Sequence, residues 1–252
     1  MSAARTLPST TPAAVSPAPP RPKLLTALTI ITPIAILIGV YFALVFAGQE
    51  AQEGDVQRIF YLHVSAFAGA FIAFGATVFA GLAYLRTRNP KWDKLGVAGV
   101  EVGLVLGLMN LVTGSIWAYP TWNTWWTWDP RLTSDAIMCL TYVAYLMLRQ
   151  GIENVETRHR FAAVYGILAY TTVIITLIIT RIRPDTIHPV VIGNSPQNAE
   201  GGFALTQDMI TALSVNSMIW SILVPWTLIW WRIRLENLSQ RVQSKRAQLM
   251  EQ

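Results

Sequence analysis

The stretch FYLHVSAFAGAFIAFGATVFAGLAYL, residues 60–85, contains no aspartate, glutamate, lysine or arginine. An α-helix needs roughly 20 consecutive apolar residues to cross the hydrocarbon core of a bilayer, which is about 30 Å thick. This stretch is long enough, so it predicts a transmembrane helix. The only histidine in it, His63, lies close to one predicted membrane boundary.

Five further apolar runs lie on either side of this one. The six predicted helices cover residues 24–47, 60–85, 95–118, 132–148, 161–180 and 209–231. Only 13% of the 252 residues are charged, against about 25% in ordinary soluble domains. The sequence therefore predicts an all-α integral membrane protein with six transmembrane helices. Residues 24–231 form its membrane domain and leave no room for a separate soluble one.

The two ends of the chain are predicted to lie outside this domain. Residues 1–23 are rich in proline, serine, threonine and alanine, which bury too little apolar area to offset the entropy of ordering, so they predict a disordered tail. The apolar run that follows is too long for the core of a cleavable signal and is expected to remain as helix 1. Residues 232–252 form a basic tail that either lies on the inner leaflet or extends the last helix.

The positions of lysine and arginine predict the orientation. Fifteen of the 19 lie in the two tails, the helix 2–3 loop and the helix 4–5 loop, whereas the other three loops hold four. Cytoplasmic segments of membrane proteins carry this excess, so both termini are predicted to be cytoplasmic. The net charge of +5 then reflects orientation and contact with membrane lipid, and no nucleic-acid partner is expected.

Under this topology the residues with distinctive chemistry fall on the outer side. His63 lies at the start of helix 2 in RIFYLHVS, and His188 follows helix 5 in TIHPVVIG. The external loop between helices 3 and 4 is rich in tryptophan, TWNTWWTWDPRLT, and ends in Asp129 and Arg131. The third histidine, His159, lies on the opposite side in TRHR and is interpreted as a solvated loop residue.

Two imidazoles, indoles and an arginine on one side of a membrane are what a haem requires. Haem iron accepts a neutral imidazole on each face, so His63 and His188 are candidate axial ligands. The porphyrin stacks on indole faces. Arg131 is a candidate partner for a propionate, and Asp129 alternatively holds Arg131 in position. Tryptophans are also typical of the membrane interface and lone histidines are often structural, but the co-location favours haem.

The tryptophan spacing predicts a flat aromatic surface in either of two conformations. A helix would place Trp122, Trp125 and Trp126 on one face, whereas an extended chain would place Trp122, Trp126 and Trp128 there. The flanking prolines limit any helix within the segment to a short one.

Helix 3 contains small and polar residues that predict close packing. Gly99, Gly103 and Gly107 lie at four-residue intervals and let another helix approach closely. Glu101 is expected to snorkel towards the inner surface, with a contact to exporter subunits as the alternative. Asn110 is expected to hydrogen-bond across helices.

Residues 114–134, GSIWAYPTWNTWWTWDPRLTS, resemble the tryptophan-rich WWD signature of the haem-handling proteins of cytochrome c biogenesis. Among these, the length and the six helices resemble the CcmC family, and RIFYLHVS and TIHPVVIG are similar to its two external histidine segments. The resemblance covers essentially the whole chain beyond the N-terminal tail. Asn123 departs from it where glycine is common, as does Pro130 where alanine is common, and the stretch 183–188 lacks the tryptophans of some members.

The resemblance implies a haem-binding and haem-delivery protein rather than an enzyme. It implies b-type haem, bound transiently and without a covalent link by His63 and His188, on the periplasmic side of a bacterial inner membrane. It also implies two partners: ABC-type exporter subunits and a membrane-anchored periplasmic haem chaperone. The implied haem-contacting set comprises Trp117, Trp122, Trp125, Trp126, Trp128 and Asp129, to which physical reasoning adds Arg131.

Other haem functions stay open at this point. A b-type cytochrome would usually place histidine pairs on facing helices at membrane depth, and the larger haem-ligating relatives have more helices and a further pair. A haem permease would need polar groups along a path through the bilayer, for which Glu101 and Asn110 are the candidates. Cys139 is the only cysteine, so the sequence excludes a CxxCH attachment site and a CxxC redox pair.

Overall fold

The computed structural model describes residues 19–50, 53–183, 185–189 and 205–250. The predicted disordered tail lies almost entirely outside these ranges. Within them the helices are α1 (Lys23–Tyr41), α2 (Gln57–Thr87), α3 (Pro90–Trp122), α4 (Pro130–Gly151), α5 (Val155–Ile182), α6 (Gln207–Met218) and α7 (Val224–Met250). One π-helical turn, Phe42–Phe46, extends α1, and another, Ile219–Leu223, joins α6 to α7.

The described chain is all-helical and multi-pass, as predicted. Five helical segments are long and apolar enough to cross a membrane: Lys23–Phe46, Gln57–Thr87, Pro90–Trp122, Val155–Ile182 and Gln207–Met250. The shorter α4, with 22 residues, is not among them. The six-span count and the orientation of the termini therefore stay predictions. The C-terminal tail continues the last helix as far as Met250.

Helices α2 and α3 pack at the centre because small residues let their backbones meet. A Cβ added at Gly99 would lie 2.6 Å from Thr77 Oγ1 and 2.7 Å from Ala73 O. A Cβ added at Gly103 would lie 2.6 Å from the Phe74 ring. The predicted glycine stripe is thus mainly an α2–α3 contact, and its third glycine faces α4.

An ion-pair network joins three helices at one end of the bundle. Asp93, in the first turn of α3, accepts hydrogen bonds of 2.6 and 2.8 Å from Arg149 in the last turn of α4. The same carboxylate lies 3.2 Å from Nε2 of His159, whose side chain is only 13% exposed. The interpretation of His159 as a solvated loop residue is wrong: it lies within α5, and its partner on α3 is distant in sequence.

A second ion pair links α3 to the C-terminal helix. Arg232 donates to Glu101 Oε1 at 3.0 Å and to Glu236 Oε2 at 2.9 Å. Glu101 therefore has a partner within the chain, as ionisable groups in membrane helices commonly do. Close by, Arg234 Nη2 donates to Pro19 O at 3.1 Å, so the N-terminal end of the described chain contacts α7.

Candidate functional site

The end of the bundle opposite the Asp93 network brings the two predicted histidines together. His63 lies in the second turn of α2, and His188 lies in the segment that follows α5. Their ring centroids are 6.3 Å apart and their planes are tilted by 56°. His159 packs against Tyr84 near the other end of α2. That end is about 30 Å from His63 along the helix axis, so the third histidine is remote.

The His63 imidazole is fixed by α3. Its Nδ1 lies 2.9 Å from Asn110 O, and Asn110 Nδ2 donates to His63 O at 2.8 Å. A backbone carbonyl can only accept a hydrogen bond, so we assign the proton of the neutral ring to Nδ1. Nε2 then keeps its lone pair, which is the arrangement seen in metal-binding histidines.

Gly114, one turn after Asn110, leaves space for this ring. A Cβ at position 114 would lie 2.8 Å from His63 Cε1 and 3.3 Å from Nδ1. Sequence reasoning gave Gly114 no role of its own, and it expected Asn110 to hydrogen-bond across helices, which the bond from Asn110 Nδ2 to His63 O on α2 confirms. The four-residue spacing of Asn110 and Gly114 is visible in the sequence, but only the register of α3 against α2 shows that both face a histidine.

His188 is positioned by Asp129. The Asp129 carboxylate accepts from Thr186 Oγ1 at 3.0 Å and from Ile187 N at 2.8 Å, and Thr186 Oγ1 accepts from His188 N at 3.2 Å. Asp129 also caps α4, since its Oδ1 accepts from Arg131 N at 2.8 Å. This buried carboxylate therefore ties the segment carrying His188 to the start of α4.

The expectation that Asp129 orients the Arg131 guanidinium is not what the structure shows. Their hydrogen bond is made through the Arg131 backbone. The guanidinium instead donates through Nη1 to Thr176 O on α5, and its Cζ lies 4.4 Å from the centre of the Phe67 ring. Arg131 is thus held between α2 and α5.

The two departures from the WWD signature have conformational explanations. Asn123 ends α3 with φ 52° and ψ 31°, a left-handed conformation that asparagine tolerates better than most residues and glycine adopts freely. Pro130 is the first residue of α4, directly after its N-cap, a position that favours proline.

The tryptophans do not form the single flat surface predicted from either conformation. α3 continues through Pro120 and ends at Trp122, so the segment is part helix and part loop. The Trp122 ring lies 5.2 Å from that of Trp117 and 6.0 Å from that of His188. Trp122 is therefore the indole that the structure brings to the histidine pair.

The remaining indoles lie further out in two separate pairs. Trp125 stacks on Tyr119 with centroids 4.4 Å apart, and Trp126 meets Trp128 edge to face at 5.9 Å. Trp125 is 57% exposed and Trp128 is 82% exposed. The loop thus presents aromatic surface outward instead of lining the site.

A cavity of about 420 Å³ lies beside the histidines, within the range of small-molecule sites. Helices α2 and α5 supply most of its apolar wall. Of the predicted site residues it contacts His63, His188 and Arg131, and no tryptophan. The full lining is His63, Val64, Phe67, Ala68, Phe71, Ile72, Asn110, Arg131, Leu177, Thr180, Arg181, His188, Pro189, Ser217 and Ser221.

The charge state and spacing of the histidines suit a metal porphyrin. Burial and the nearby charge of Arg131 hold the pKa of His188 well below its usual 6.5, so the ring is neutral. Two imidazoles on opposite sides of one metal, each bound through nitrogen at about 2 Å, would have centroids roughly 6 Å apart. The observed separation is 6.3 Å. Apolar walls and the lining arginines suit a ring with carboxylate substituents.

Comparison with known proteins identifies the family. The family model described as heme exporter protein C (CcmC) matches residues 17–248. The chain belongs to the heme exporter protein C family. This confirms the family predicted from the WWD segment, and the match includes every described helix except the last two residues of α7.

Three relatives named heme exporter protein C illustrate the similarity. That of Bradyrhizobium diazoefficiens is 30% identical over 219 residues, covering 84% of this chain and 78% of the relative. That of Haemophilus influenzae is 31% identical over 157 residues, covering 62% of this chain and 63% of the relative. That of Rhodobacter capsulatus is 35% identical over 126 residues, covering 50% of this chain and 52% of the relative. The matched region spans between about half and two thirds of the length of these last two relatives.

Proposed function

We propose that this chain binds haem between His63 and His188 and delivers it for cytochrome c maturation. The observation that carries the proposal is the proximity of the two imidazoles, whose ring centroids are 6.3 Å apart. Nδ1 of His63 lies 2.9 Å from Asn110 O, and Asp129 accepts from the N–H of Ile187, the residue before His188. Haem is here a transient, non-covalent b-type cargo, and the protein is a delivery component rather than an enzyme.

Residues that line the larger cavity supply the three kinds of contact that haem needs: iron ligands, apolar surface and donors to the propionates. The two histidines bind the iron, and apolar side chains such as Phe71 and Leu177 contact the ring. The Arg131 guanidinium has five N–H donors, and one of them bonds to Thr176 O. The other N–H groups can donate to a propionate. Bound haem supplies no chemistry to this protein, which must only hold it and release it.

Release requires a surface that a partner can reach. The exposed Trp125 and Trp128 lie on the loop directly before Asp129. We propose that a membrane-anchored haem chaperone docks on this loop, and that the chain works with ABC-type exporter subunits. The name heme exporter protein, carried by the relatives, supports the second partner.

We propose that the histidine end faces the periplasm of a bacterial inner membrane, with α4 completing six spans. The excess of lysine and arginine lies in segments predicted at the other end, where Pro19, the first described residue, also contacts Arg234 of α7. Segments of that composition stay in the cytoplasm.

The rival functions receive less support. The chain's third histidine pairs with Asp93 far from the first two, so the histidines provide one haem site and not a relay of two. The polar groups considered for a permease path have partners: Glu101 pairs with Arg232, and Asn110 bonds to His63.

The test is haem retention by purified protein combined with cytochrome c formation in cells. His63→Ala and His188→Ala are expected to lower both by about tenfold or more, because each removes an iron ligand. His159→Gln is the matched control and leaves both unchanged. Full haem content after loss of both outer histidines contradicts the proposal, and sustained quinol-dependent turnover favours a b-type cytochrome.

A further inference from the structure

A second, smaller cavity lies on the α3–α4 side of the histidine pair. Its volume is about 20 Å³, and its lining includes His63, His188, Trp122, Ser115 and Asp135. A single water needs about 10–15 Å³ measured in this way. The cavity therefore has room for one water, and its polar lining can bind one.

Two buried polar atoms of this lining have no hydrogen-bond partner among the described residues. They are Asp135 Oδ1 and His188 Nδ1. Asp135 is 5% exposed, and burial by itself disfavours a charged carboxylate; the Arg131 charge, one turn earlier on α4, opposes that effect. Buried polar atoms are strongly unfavourable when unsatisfied, and ordered water commonly satisfies them.

We propose that Asp135 is a positioning residue for His188 and acts through one water bound in the smaller cavity. The water accepts the Nδ1 proton of His188 and donates to Asp135 Oδ1. With its proton on Nδ1, His188 presents Nε2 as the metal-binding nitrogen, as His63 does. The inference rests on the proposed haem function and adds that the two histidine ligands differ in the acceptor of their Nδ1 proton.

The difference lies in what each imidazole donates to. His63 donates to a neutral carbonyl, that of Asn110, whereas His188 donates through water to an anion. A carboxylate partner raises the basicity of a ligating imidazole. A more basic ligand stabilises ferric iron more than ferrous iron, so Asp135 makes the site hold ferric haem more tightly.

The test is the midpoint potential of haem bound to the purified full-length chain. In Asp135→Asn we expect ferric affinity to fall about tenfold relative to ferrous affinity, which raises the one-electron potential by about 59 mV. The two-histidine absorption spectrum is retained. Ser134→Ala is the control at the neighbouring position of α4: it removes a hydroxyl that donates to Arg131 O outside the smaller cavity, and it leaves the potential unchanged.

An unchanged potential in Asp135→Asn, with the spectrum intact, overturns this role for Asp135. A wild-type protein that binds no haem overturns the proposed function instead. Two measurements cover the case in which Asp135→Asn does not fold. Asp135→Glu keeps the carboxylate and is expected to keep the wild-type potential. A wild-type structure that resolves waters should show one between Asp135 and His188, and its absence there contradicts the inference.

Discussion

Gly114 faces the His63 ring closely enough that any side chain at position 114 disturbs it. In Gly114→Ala the new Cβ lies 2.8 Å from His63 Cε1, so the imidazole must shift. Displacing a fixed metal ligand typically costs 10–100-fold in affinity. We therefore expect haem affinity, measured by titrating the purified protein, to fall by about tenfold or more.

Gly96→Ala is the control for this prediction on the same helix. The nearest atom to its new Cβ is 3.7 Å away, an ordinary contact, so haem affinity should match the wild type. Both substitutions raise helix propensity by a similar amount. Equal haem affinity in the two variants would show that Gly114 does not set the position of His63.

The histidines could be predicted from the sequence, whereas the residues that hold them could not. His63 and His188 each lie near the end of an apolar run, and topology alone puts both on one side of the membrane. Asn110 and Asp135 lie inside helices, where nothing local distinguishes a packing residue from a ligand-positioning one. Their roles follow from the rotation of α3 and α4 against α2.

The start of α4 and the segment after α5 behave as one element because Asp129 bonds to both. In Asp129→Ala, α4 loses its cap, and Thr186 and Ile187 lose their acceptor. We expect the variant to fold but to lose the axial ligation of His188, which absorption spectroscopy of the haem-loaded protein would detect.

Asn154→Ala is the control that separates loss of a helix cap from loss of the bonds between Asp129 and the segment that carries His188. Asn154 caps α5 through Thr157 N at 2.9 Å, at the end of the bundle away from the histidines. Its loss costs about 1 kcal/mol, as for a typical cap. The haem spectrum should not change. If Asp129→Ala also kept the wild-type spectrum, the axial ligation by His188 would not depend on the bonds from Thr186 and Ile187 to Asp129.

The tryptophan segment shows where prediction of an element from sequence stops. The spacing of the indoles supported two regular conformations, but the chain adopts neither. α3 passes Pro120 and ends where Asn123 takes a left-handed conformation, which turns the loop outward. The left-handed conformation of Asn123 ends the helix directly after Trp122, the indole that contacts His188. The periodic spacing of the tryptophans does not predict that conformation.

The two ends of the whole molecule have separate roles, so stability and haem binding can be altered independently. Asp93→Ala leaves the largely buried Arg149 without its carboxylate partner. Breaking a buried pair costs about 3–5 kcal/mol, so we expect a clearly lower Tm in detergent. The spectrum of bound haem at room temperature should match the wild type.

Glu156→Ala is the matched control for this end. It removes an exposed pair with Arg160, worth at most about 1 kcal/mol, so its Tm should stay close to that of the wild type. Equal Tm values for the two variants would contradict a stabilising role for the Asp93 network.

The orientation of the whole molecule can be tested with single cysteines. Cys139 is buried and is the only native cysteine, so a Cys139→Ala background is expected to be silent. In intact cells an impermeant thiol reagent should label Trp128→Cys, whose site is 82% exposed at the histidine end. Gly151→Cys, exposed at the end of α4, should react only after permeabilisation. The reverse pattern would overturn the predicted topology.

At this scale the sequence predicted most of the helices, because apolar run length acts over whole segments. Each predicted helix has a counterpart whose boundaries differ by six residues or fewer, except that the last helix continues from the predicted end at residue 231 to Met250. The cavity beside the histidines could not be predicted. It depends on how α2, α5 and the π-helical turn before α7 pack together, and these are far apart in sequence.

The central claim is that His63 and His188 bind one haem iron from opposite sides. Electron paramagnetic resonance of the ferric, haem-loaded protein tests it most directly. We predict a low-spin, six-coordinate signal in the wild type that becomes high-spin, or is lost with the haem, in both His63→Ala and His188→Ala. An unchanged low-spin signal in either variant would contradict the claim.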